Sequence, residues 1–187
     1  MEIETLSRWL AEPRTELTNA VSRCVCDHVA ALKHCGISFY GFALLPGEPY
    51  DISSLVAVHN CESDIKAPNN DDQYRYYKYS VDEWIHWEYQ GFELVNKALV
   101  EANTQFASMH SKLEGDCSMD EFEIAHSKSL LEAILQGLED AKASGVFGIS
   151  DVFLAMWISD SGHGIIAESV RRLNSPAVAQ EFMAEFG

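Results

Sequence analysis

The chain has 187 residues, of which 47% are hydrophobic and 11% aromatic, so it carries enough apolar material for one packed domain and is not a disordered tail. Its 13 Lys and Arg against 29 Asp and Glu give a formal charge of -16, a field that repels phosphate backbones and anionic lipid and attracts cationic partners. Five irregularly spaced cysteines, Cys24, Cys26, Cys35, Cys61 and Cys117, and a first stretch MEIETLSRWL without a basic region point to a cytoplasmic protein rather than an exported one.

In chain order, Leu17, Val21, Cys24, His28, Leu32 and Cys35 recur at steps of three and four, predicting a helix over 15–35 that Gly36 stops. The run 38–45 is apolar on both alternating faces and ends in Pro46-Gly47, which predicts a buried strand and a turn, with a hairpin partner over 52–59. Polar residues 60–73, including Pro68-Asn-Asn-Asp-Asp72, form a loop. Tyr74 to Tyr79 is rich in strand-favouring rings and is expected as a third strand, followed by a helix that Ser80-Val-Asp-Glu83 caps and that carries Trp84 and Trp87.

A helix over 92–112 is expected to bury Leu94, Ala98, Val100 and Phe106. The next, capped at Ser118, has the stripe Phe122, His126, Leu130, Leu131, Ile134, Leu135 and Leu138, and ends at Gly145. Asp151 to Ile158 is apolar on both faces and reads as a central strand; a helix reaching Arg172 and a last helix beginning at Ser175-Pro176 complete the chain. The expected fold is therefore a single α+β domain, 1–187, with a mainly antiparallel sheet packed by several helices from both ends of the chain.

Few constellations suggest chemistry. Cys24 and Cys26 would point to opposite sides of a helix, and Cys24 with His28 lacks a second ligand pair of regular spacing, so neither a metal site nor a cofactor is expected. Gly162-His163-Gly164 beside Asp160 offers an acid or base after a strand, but without a phosphate-binding glycine pattern it reads first as turn geometry. The stretch from Tyr74 to Tyr89 interleaves Tyr and Trp with acids, the residue types that anchor protein interfaces. From it, and from the loop before it, Asp71, Asp72, Tyr76, Asp82, Glu83, Trp87 and Glu88 are the expected partner-binding residues.

Phe39-Tyr-Gly-Phe-Ala-Leu44, YKYSVDEW over 77–84, Gly145-Val-Phe-Gly148, a strand leading to Asp160, and Leu173-Asn-Ser-Pro176 together carry a resemblance across about 15–183. They resemble a bacterial domain family of unknown function whose members look like components of polymorphic toxin systems, where small acidic domains serve as immunity proteins. The resemblance implies a cytoplasmic, non-catalytic protein that binds and neutralises a cognate toxin; the acidic charge suits a basic toxin and argues against nucleic acid, and the shortness of the longest apolar run, Val152 to Ile158, argues against membrane insertion. Two rivals are a hydrolase or transferase acting through Asp160 and His163, and a regulatory module that self-associates through the aromatic stretch.

Overall fold

In a computed structural model, residues 3–48, 51–113, 119–148 and 151–187 are described, and they form one α+β arrangement around a four-stranded sheet. The elements are α1 (Ile3–Ala11), α2 (Thr15–His34), β1 (Gly41–Leu45), β2 (Val56–Asn60), α3 (Tyr74–Tyr79), β3 (His86–Glu88), α4 (Glu93–His110), α5 (Met119–Ala143), β4 (Phe153–Met156), α6 (Gly164–Leu173) and α7 (Pro176–Phe186). The sheet order is β3-β2-β1-β4, antiparallel between β1, β2 and β3 and parallel between β1 and β4. The mainly antiparallel sheet expected from sequence is thus present, with one parallel pair.

Strand alternation sorts the side chains into two layers. Phe42, His59 and His86 share a row on one face, because Phe42 is registered opposite His59 and His59 opposite His86. That face meets α2, whose His28 ring lies 5.9 Å from Phe42. The other face carries Phe153, which packs edge-on against Tyr79 and Trp84 and stacks on Phe182 of α7. Gly41 admits the Trp84 indole there, since a Cβ at this position would lie 2.5 Å from Trp84 Cη2.

Helix α2 buries Leu17, Val21, Cys24 and Leu32 of the expected stripe and adds Val25 and Val29, while His28 is half-buried and Cys35, just past the last turn, is exposed. The stripe of α5 is buried from His126 through Leu138, and Gly145, with φ 81°, turns the chain after it. Ser175 caps α7 by accepting a hydrogen bond from Val178 N, with Pro176 in the first turn as expected. The expected cap at Ser118 lies outside the described residues.

Four expectations are corrected. Tyr74 to Tyr79 is helix, not strand: Tyr79 packs edge-on against both Phe153 and Phe182 while Tyr76, one turn earlier, stacks on Phe186, and this packing against α7 and the sheet overrides the strand preference of the rings. Ser80 to Glu83 opens no long helix; Val81 to Glu83 is a single tight turn, after which buried Trp84 donates to Lys78 O and the chain continues into β3, so Trp87 is on a strand. In α4 the buried side is Val95, Leu99 and Phe106, spaced by four and seven so that they share one side of the helix, whereas Leu94 and Val100 fall outside that side and are each 54% exposed. Strand β4 is an edge, not a central strand. Its outer backbone groups are taken up by side chains: Leu154 N donates to Asn174 Oδ1, Asn174 Nδ2 donates to Leu154 O, and Met156 N donates to Ser169 Oγ. An edge sealed in this way is buried like a central strand and carries the same apolar sequence.

Candidate functional site

The side chains richest in chemistry gather at the opposite edge, where β2 ends and β3 begins. The register pairs His59 with His86, so both imidazoles leave the sheet on one face; the rings lie parallel, 9° apart in plane and 4.8 Å between centroids. Cys61 continues the extended backbone two residues beyond His59 and returns to the same face. One donor atom from each of His59, Cys61 and His86 lies within 4.8 Å of the other two.

The tight turn Glu62 to Asp64 then brings a carboxylate back over the group. Asp64 Oδ2 accepts from Cys61 N at 3.2 Å and lies 2.9 Å from His86 Nε2, and Ser63 donates to Oδ1. The hydrogen bond from His86 holds the Asp64 carboxyl below the usual carboxylate range. With the Asp64 carboxylate as acceptor, Nε2 of His86 carries a proton, so in the neutral ring the lone pair is on Nδ1.

Behind this edge the site becomes apolar. His59 is 7% exposed, packed 5.8 Å from Phe39 and 6.5 Å from the His28 ring, which itself sits 6.0 Å from Phe92. Burial, reinforced by the neighbouring His86 and His28, lowers the His59 pKa from the ordinary 6.5 to about 4. His59 Nδ1 and His28 Nε2 are both buried without a hydrogen-bond partner among the described residues. Burial also raises the Cys61 thiol above its ordinary value.

Of the partner-binding residues expected from sequence, Glu88 shares the His86 face of β3, Trp87 leaves its opposite face, and the others lie in the loop before α3, on α3 and in the turn after it. Asp71, Asp72 and Asp82 are exposed and form no ion pair among the described residues; Asp71 Oδ1 accepts from Gln73 N at the approach to α3. Tyr76 is 39% exposed, with one face against Phe186. Glu83 is paired with Lys66 at 2.5 Å. Trp87 and Glu88 project from opposite faces of β3: the indole donates to Trp84 O, and Glu88 accepts from Gln90 N.

Asp160 and His163 do not converge. Asp160 is exposed in a turn with φ 52°, while His163 is half-buried and spends Nδ1 on accepting Ile165 N at the start of α6. A cleft of about 390 Å³ is lined by His163 with Ser127, Lys128, Glu132 and Glu168, and Asp160 is not part of its lining. Cys24 is buried apart from the His59 group.

The family described as Domain of unknown function (DUF4303) matches residues 17–175. The chain belongs to this family. Its matched span includes β1 to β4 and every residue of the His59, Cys61 and His86 group. No curated protein and no solved structure matches the chain. Among the described residues no helix is long and apolar enough to cross a membrane.

Sequence reasoning missed the histidine group because it depends on the β2–β3 register. The signal available was His59-x-Cys61 at strand spacing, which places both side chains on one face.

Proposed function

We propose that this family member is a non-catalytic binding protein of immunity type, which captures and neutralises a toxin protein of basic charge. The observation that carries the reading is the unneutralised acidity: a chain of formal charge -16 presents Asp71, Asp72 and Asp82 exposed, without ion pairs among the described residues, in the segments just before and just after the helix that carries the exposed Tyr76. Acids of this kind steer a cationic partner in solution, and a rigid aromatic supplies desolvated contact area once it docks. Glu83, held by Lys66, is a weaker contributor, because a partner cation must compete with the lysine.

The test is affinity capture from the native host at low salt, identification of what elutes as salt rises, and co-expression to ask whether growth inhibition by the captured protein is relieved. The variant combining Asp71→Lys, Asp72→Lys and Asp82→Lys is expected to keep its fold and to lose at least about tenfold in affinity for that protein, with a flatter salt dependence. Unchanged affinity would remove these residues from the interface; a captured protein whose toxicity is not relieved would remove the immunity reading.

A further inference from the structure

We propose that His59, Cys61 and His86 bind one divalent transition-metal ion, with zinc the ion that their donors fit. Three observations concern the same group of side chains. The β2–β3 register places the two imidazoles opposite each other and the thiol on the same face, with the three donor atoms within 4.8 Å. Asp64 binds His86 through Nε2, which orients the ring and directs the Nδ1 lone pair elsewhere, the arrangement in which a carboxylate supports a metal-bound imidazole. His59 Nδ1 is buried and unpartnered among the described residues, a state that costs free energy unless something accepts or donates there.

The donor set selects the ion class. Two imidazoles and a thiolate suit zinc and its neighbours, not calcium or magnesium, which take oxygen ligands. Zinc bonds of about 2.0–2.3 Å place donors roughly 3.3–3.8 Å apart in a tetrahedron, so the group must close by about an ångström. Cys61 and His86 are half-buried at the rim and can turn inward, whereas His59 is fixed in the packed wall. The Cys61 thiol gives up its proton to solvent as the metal–sulfur bond forms, and water takes the fourth position on the open side.

Cobalt(II) is the probe, added to reduced, chelator-treated full-length protein. The expected result is a thiolate-to-cobalt charge-transfer band in the near ultraviolet that saturates at one equivalent and is abolished by zinc. Cys61→Ser is expected to remove the band, His86→Ala to weaken cobalt binding at least about a hundredfold, and Asp64→Asn to weaken it about ten- to a hundredfold. Cys35→Ser, at an exposed cysteine outside the group, is expected to leave the band unchanged. Circular dichroism on each variant confirms that it is folded, and His86→Ala tests the site independently should Cys61→Ser unfold. No band, or a band that persists undiminished in both Cys61→Ser and His86→Ala, overturns the site.

Discussion

The two edges of the sheet solve the same problem in opposite ways. At β4, Asn174 and Ser169 satisfy the outward backbone groups of Leu154 and Met156, and all four residues of the strand are buried. At β3, only three residues pair with β2, all are half-buried, and one is His86. The sealed edge spends its polar side chains on the backbone and leaves none free for chemistry. The short open edge keeps imidazole, thiol and carboxylate groups near solvent, where a ligand can reach them. Polar groups at one edge are thus structural, and at the other they are available.

The largest effect that would break this comparison is expected at the sealed edge. Asn174→Ala removes the amide that accepts from Leu154 N and donates to Leu154 O and Val170 O, leaving buried backbone groups unpaired. The expected loss is about 2–4 kcal/mol, read from urea unfolding. A loss under about 1 kcal/mol would mean that water replaces the amide and that the edge is not sealed.

A buried histidine away from both edges sharpens the contrast. His126 on α5 donates from Nε2 to Asn103 Oδ1, stacks 4.3 Å from Phe106, and has Nδ1 buried without a partner among the described residues. Burial, with Arg14 nearby, lowers its pKa from the ordinary 6.5 to about 4. The unfolded chain therefore binds more protons between these values, so this group's contribution to stability falls as pH drops from the ordinary value toward the folded one. The contribution lost between about pH 7 and about pH 5 is about 2 kcal/mol. The check is the His126 ring resonance in an NMR titration, expected to have its midpoint near 4; a midpoint at the ordinary value would show that the ring is hydrated.

Ser169→Ala tests the second seal. It leaves Met156 N without its acceptor in a fully buried position, and about 1–2 kcal/mol is expected from the same unfolding measurement. Combined with Asn174→Ala, it should give a sum that departs from additivity, because both act on one short strand.

This contrast is only half legible in the amino-acid sequence. Strands β1 and β4 announce themselves as continuous apolar runs, and α5 and α7 by stripe and cap, because burial and local capping are written in neighbouring residues. The edge position of β4 is hidden because Asn174 and Ser169 make it look like a strand with two neighbours. Tyr74 to Tyr79 misleads because α7, from the far end of the chain, decides its conformation. With β3 taken for helix, His86 has no reason to meet His59. Helix α1, whose Leu6 is fully buried, also escapes the sequence pattern. Among the expected binding residues, the exposure of Asp71, Asp72 and Asp82 follows from their polar loop and turn context, but the separation of Trp87 from Glu88 requires knowing that they sit on a strand.

The smallest expected effect is at the open edge. His86→Ala in metal-free protein removes a parallel ring contact with His59 and a hydrogen bond to Asp64 from a side chain that is 40% exposed. Exposed charge-assisted pairs contribute little, and one ring contact adds at most about 1 kcal/mol, so the unfolding free energy should fall by about 0.5–1 kcal/mol. Asn174→Ala should therefore cost several times more, although both substitutions remove a polar side chain beside a sheet edge. If His86→Ala instead matched Asn174→Ala, the histidine would be closing its edge as Asn174 closes the other, and the imidazole would not be free to serve a ligand. A small effect on stability alongside a large effect on cobalt binding is the pair of results that separates an available group from a structural one.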